Sequence, residues 1–109
     1  MGAPLYLSVG TATPTVSPAF TFPFAPRNIV LEVPSLTAAS EIRPQFSATS
    51  GGPFWTLQRG DGTGAPFAVH SGAGPAIGAF TPPTPFGRFV LTGSVTMITT
   101  LTLYPGGPR

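Results

Sequence analysis

The chain carries one imidazole, His70, three carboxylates, Glu32, Glu41 and Asp61, and no cysteine. A Ser-His-Asp arrangement needs only one residue of each kind, so counting alone does not exclude it. No G-x-S-x-G elbow is present to lift a serine out of a strand-to-helix turn. A metal site usually takes two or more histidines, or histidine with carboxylates, and the three acids form no spaced cluster with His70. Without thiols there is no thiolate metal site, cysteine nucleophile or disulfide scaffold. The expectation is a non-enzyme with no metal and no cofactor, His70 being a strand-end or surface residue.

Three short motifs remain. Gly60-Asp61-Gly62-Thr63-Gly64-Ala65 fits the loose G-x-G-x-x-A fingerprint. That chemistry requires a helix N-terminus directly afterwards, to offer free amides to a pyrophosphate. Pro66 and a short strand pattern follow instead, so the motif reads as a hairpin loop whose Asp-Gly pair suits positive φ. Arg59-Gly60-Asp61 spells the tripeptide that some cell-surface receptors read in exposed loops, and a strand-end Arg followed by turn residues explains it equally well. Arg59, Gly60, Asp61 and Gly62 are therefore a candidate exposed loop. Trp55, with Gln58 and Asp61 nearby, could form a sugar-stacking platform. The commoner place for a β-sandwich tryptophan is the core between two sheets.

Composition decides what must hold these residues. The chain has 109 residues, enough for one core and not two. Only 7% are charged, against roughly 25% in an average protein. The five Arg (Arg27, Arg43, Arg59, Arg88, Arg109) are never adjacent, and the net charge is +2. That leaves no electrostatic footprint for nucleic acid. No apolar run reaches the ~18 residues of a membrane helix, and the start lacks the basic region of a signal peptide. No nucleic-acid or membrane partner is expected. Gly and Pro total 29. They read as punctuation between strands, because the aromatic and aliphatic content is high enough for collapse.

Hydrophobic periodicity then places the elements. Pro4–Val9 alternates Leu5, Leu7 and Val9 with Tyr6 and Ser8, a period of two. Ala19–Phe24 puts Phe20, Phe22 and Phe24 on one face and Pro23 on the other, which suits an edge strand. Asn28–Val33, Glu41–Ser47, Phe54–Arg59, Phe67–His70, Ala76–Phe80, Phe86–Gly93 and Ser94–Tyr104 follow, separated by Gly- and Pro-rich turns. No segment holds a helical period. The fold expected is all-β, an antiparallel β-sandwich, jelly-roll-like, of about eight short strands. Residues 1–18 read as a strand and a Pro/Thr-rich arm, 19–105 as the sandwich and 106–109 as a tail. Its core should hold Ile29, Leu31, Val33, Phe46, Leu57, Phe89, Leu91, Met97 and Leu101.

Several stretches occur in a suggestive order. A hydrophobic strand meets V-P-S-L-T-A-A (Val33–Ala39). G-x-F-W-x-L (Gly52–Leu57) and D-G-x-G (Asp61–Gly64) come next. A Pro-rich link leads to F-x-R-F-V-L-T-G (Phe86–Gly93), and a Thr-rich strand ends in Leu103-Tyr104-Pro105. From Phe20 to Tyr104 the chain resembles a family of small β-sandwich virion proteins of tailed bacteriophages, similar to head decoration (cement) proteins. The resemblance implies a structural protein on the capsid exterior, bound to a major capsid protein as a homo-oligomer, a trimer being favoured. Under that reading the interface is expected at Tyr6, Thr15, Val16, Phe20, Phe22, Ile98 and Tyr104, with Gly10–Pro18 as a reaching segment. The alternatives are a β-sandwich carbohydrate-binding module, which requires an exposed Trp55, and a minor tail or neck component.

Overall fold

A computed structural model describes residues 4–9, 15–34, 40–59, 62, 64–72, 75–92 and 99–107. Among these residues are ten strands and no helix. They are β1 (Leu5–Val9), β2 (Thr15–Val16), β3 (Phe20–Thr21), β4 (Ile29–Val33), β5 (Ser40–Ser47), β6 (Trp55–Thr56), β7 (His70–Gly72), β8 (Ala76–Phe80), β9 (Phe86–Leu91) and β10 (Thr99–Pro105). One sheet runs β1-β10-β4-β8 and the other β2-β9-β5-β6, with β3 also on β9 and β7 also on β5. Every pairing is antiparallel. The fold is the two-sheet sandwich that the alternation implied.

Period two becomes two faces. Across the first sheet, Leu5, Leu103, Leu31 and Gly78 form one continuous rung on the core side. Tyr6, Thr102, Glu32 and Ile77 form the neighbouring rung on the outer side. In the second sheet Ile42, Pro44 and Phe46 face inward opposite Leu91, Phe89 and Gly87. One core results, built from Leu7, Val9, Ile29, Leu31, Val33, Leu101 and Leu103 of the first sheet against Phe20, Ile42, Phe46, Phe89 and Leu91 of the second. Phe80 crosses between them, with its ring 6.0 Å from both Phe46 and Phe89. Of the expected core, Leu57 is only partly buried and Met97 lies outside the described residues.

The short strands turn out to be broken edge strands. β2 and β3 lie end to end along β9, and three residues, 17–19, face two of β9. This is a β-bulge, and Pro18 within it has no N–H to give the ladder. Ser17 repairs the gap. Its N–H donates to Phe89 O at 2.9 Å, and its Oγ accepts the buried Phe89 N–H at 2.9 Å. β6 and β7 likewise share the edge of β5, separated by an excursion over 57–69. Leu57 N bonds Pro44 O and Val69 N bonds Ile42 O, anchoring both feet. A small hairpin stands between them, carried by Phe67 N to Leu57 O, Arg59 N to Ala65 O and the Gln58–Pro66 bridge. Gly62 and Gly64 adopt positive φ at its tip, as the Gly-rich loop implied.

Three expectations need correction. The strand expected at Pro4–Val9 is β1, paired along its whole length with β10, but residues 15–17 of the expected Gly10–Pro18 arm are not free: Thr15 and Val16 pair with β9 and Ser17 is buried against it. Residues 106 and 107 of the expected 106–109 tail are tied down, since Gly106 N donates to Asn28 O and Gly107 O accepts from Arg27 N. Phe20 and Phe22 are not an interface. They are 5% and 7% exposed and pack ring to ring at 5.3 Å. Gly87 makes this possible, because a Cβ there would stand 2.7 Å from both Phe20 and Phe46.

Two substitutions test this architecture. Leu31→Ala, at a fully buried rung position, should cost about 2–5 kcal/mol in denaturant unfolding. Ser17→Ala leaves the Phe89 N–H buried without an acceptor and should cost about 1–3 kcal/mol. An effect within ~0.5 kcal/mol, the size of a surface change, would show that the bulge relaxes without its serine.

Candidate functional site

The two outer faces differ in kind. On the outer face of the β2-β9-β5-β6 sheet the polar groups are already engaged. Arg43 Nε donates to Glu41 Oε1 at 2.9 Å and its guanidinium pairs with the same carboxylate. Arg88 Nε donates to Gln45 Oε1 at 2.8 Å, and its guanidinium lies 4.6 Å from the centre of the Phe54 ring. Gln45 Nε2 in turn donates to Thr56 Oγ1 at 3.1 Å. A half-exposed ion pair such as Glu41–Arg43 adds at most about 1 kcal/mol, so this lattice gives the face polarity more than strength.

The outer face of the β1-β10-β4-β8 sheet has one ionisable acid, Glu32, among Ser8, Thr100, Tyr6, Thr102, Ile77, Tyr104, Val30 and Ala79. Tyr6 and Ile77, at opposite ends of one rung, are 68% and 69% exposed. Between Ile77 and Thr100 a shallow cleft of about 530 Å³ runs along Glu32 and Pro34. Tyr104 is held above its ordinary pKa of 10.0, first by a hydrogen bond with Glu32, then by burial, by the Glu32 charge and by Tyr6. The protonated phenol is thus the form the folded face prefers. Any stability it adds is complete below the ordinary tyrosine range and fades as pH rises through the raised value.

The third feature is an edge groove. Trp55 is 70% exposed, which overturns its placement in the core. Its register partner Phe46 is on the core side, but β6 is the end strand of its sheet, so Trp55 overhangs the open margin. A groove of about 550 Å³ lies there between β6 and the Pro83–Thr84 turn.

The remaining expected residues are spread out. Tyr6 and half-buried Tyr104 share the weakly charged face. Val16 is 45% exposed on the other sheet. Thr15 lies on β2 in register with Leu91. Ile98, Gly60 and Asp61 lie outside the described residues, while Arg59 and Gly62 are exposed. His70 stands opposite Ile42 on β7, with Ser71 opposite Glu41. Among the described residues no three metal-ligating side chains gather. Ile77 was missed by the sequence reading because Ala76–Phe80 is weakly patterned, and only its register with Glu32 puts it beside Tyr6.

No protein-family model matches the chain, and neither a curated protein nor a solved structure is detectably similar to it. The class that the structure defines is an antiparallel two-sheet sandwich with one nearly uncharged outer face.

The Tyr104–Glu32 pair gives a direct check on this face. Glu32→Gln removes the negative charge and should lower the Tyr104 pKa toward 10.0, seen as tyrosinate absorbance appearing at lower pH. An unchanged titration would mean that the two side chains do not meet in solution.

Proposed function

We propose that this protein is a structural virion component, a capsid decoration protein that binds the outside of a phage head shell and reinforces it. The motif resemblance between Phe20 and Tyr104 supports the reading, and one structural observation carries it. The outer face of the β1-β10-β4-β8 sheet presents Tyr6 and Ile77 to solvent with Glu32 as its single acid. Two exposed apolar side chains on a nearly uncharged face make this the surface through which the proposed docking would run.

The size of that face bears on how it is used. Four strands about 4.8 Å apart and five residues rising about 3.3 Å each span roughly 300 Å². A stable interface buries about 800 Å² on each partner. One such face docks weakly alone. A homo-oligomer that places several on a shell at once converts weak contacts into tight attachment. A trimer suits the three-fold positions of a capsid lattice, where subunits of the major capsid protein meet.

The test is to purify particles and wash them in about 1 M salt, where the Debye length is about 3 Å. The protein should stay bound, because its contacts are apolar and not ionic. Tyr6→Asp with Ile77→Asp should strip it from particles while leaving its circular dichroism unchanged. Loss on salt alone would argue for electrostatic docking, and absence from unwashed particles would reject the virion reading.

A further inference from the structure

Trp55 is the single tryptophan of the chain. β6 is too short to bury it: the strand ends after two residues, where Leu57 N turns in to Pro44 O and the hairpin begins. No aromatic ring of the described residues stacks on its indole. The face of that indole is therefore available to something else. Beneath it the groove has an apolar floor in Phe46 and Leu57 and an opposite wall in Pro83.

The wall is fixed in place. Thr84 Oγ1 donates to Ser47 O at 2.6 Å and accepts from Phe86 N at 3.3 Å, tying the β8–β9 turn to the end of β5. Such a groove needs little ordering when a ligand arrives. Its volume, about 550 Å³, lies within the range of roughly 300–1,000 Å³ typical of small-ligand sites.

The lining states the chemistry of the ligand. Among the described residues no charged side chain lines the groove. Arg88, on the same sheet, is turned to Gln45 and Phe54. An anion or cation would find no countercharge among them. The polar side chains are the Gln58 amide and the hydroxyls of Ser47, Thr56 and Thr84, of which Ser47 accepts from Thr49 N and Thr84 is bonded to the turn. The Gln58 amide makes no hydrogen bond among the described residues, so it can both donate and accept. Thr56 Oγ1 is taken up by Gln45 on the outer face of the sheet, which leaves Gln58 as the free polar group of the groove.

A flat aromatic face flanked by neutral donors and acceptors matches a flat, uncharged ring with an apolar face and hydroxyls around its rim. We propose that the groove under Trp55 binds one ring of a neutral saccharide, the indole stacking on its C–H face while Gln58 bonds its hydroxyls. A peptide adding a strand would instead need a run of free backbone, and β6 offers two residues before the hairpin. The site is separate from the proposed docking face, which lies on the other sheet, so the two stand or fall independently.

Because Trp55 is the only tryptophan, its emission reports on this groove alone. The purified protein would be titrated with neutral gluco-, galacto-, manno- and N-acetylglucosamine oligosaccharides, with an acidic oligosaccharide and a proline-rich peptide alongside. At least one neutral saccharide should shift the emission saturably, with a Kd on the order of 1 mM. Gln58→Ala, which keeps the indole, should weaken that binding about fivefold, the loss of one hydrogen bond. Trp55→Ala should abolish it by calorimetry, with circular dichroism confirming the fold. Three outcomes would overturn the proposal: no neutral saccharide acting at ~10 mM, far above that Kd; binding that survives in Trp55→Ala; or a response to the acidic sugar or the peptide alone.

Discussion

The ring of Phe80 is the contact on which the sandwich depends. It sits at the end of β8, opposite Ile29, and reaches across to Phe46 and Phe89 of the other sheet and to Phe67. Edge-to-face pairs of this kind add about 0.5–1.5 kcal/mol each beyond the area they bury. With 7% charged residues the molecule has no ionic frame to share the task. The rest follows from making room for rings. Gly87 leaves space for Phe20 and Phe46, and Gly78 lets the Val69 backbone come to 2.8 Å from where a Cβ would stand. The bulge at Ser17 sets Phe20 back into line with the core after Pro18 interrupts the edge.

Much of the architecture was legible because burial on one side of a sheet forces alternation. β1, β4, β5, β8 and β9 coincide with period-two runs to within two residues at either end. The broken edges were not legible. Nothing local in Ala19–Phe24 distinguishes a strand that fills its own core from one that offers a face to a partner. Phe20, Phe22 and Phe24 alternate in either case, and in the fold only Phe24 stays exposed. The decision is made by β9, far along the chain, whose Gly87 receives the Phe20 ring. Trp55 failed in the opposite sense. Trp55 stands two residues from Leu57, an expected core residue, and its register with Phe46 agrees with an inner face, but the sheet ends there and the indole stays exposed.

The site residues were readable as types but not as neighbours. Tyr6 could be picked out as an outward residue from its strand alone. That it shares a rung with Ile77, through Thr102 and Glu32, is a matter of register across four strands. Register depends on pairings between distant segments, and no window of sequence contains them. Register also explains why the two outer faces differ so much. The Arg and Gln side chains sit on β5 and β9, which are neighbours, so they satisfy one another and leave the other sheet almost bare of charge.

Strand order also sets a timetable. Every strand of the β2-β9-β5-β6 sheet has been made once the ribosome has passed residue 91. The other sheet has no such freedom. β1 is synthesised first, yet its ladder partner is β10, which ends at residue 105 and lies between β1 and β4. Until then Leu5, Leu7 and Val9 have no strand beside them, and β4 is paired on one side only. Pairings so distant in sequence are slow to find. Folding can therefore complete one sheet first and use it as the template on which the second closes, its middle strand inserted last.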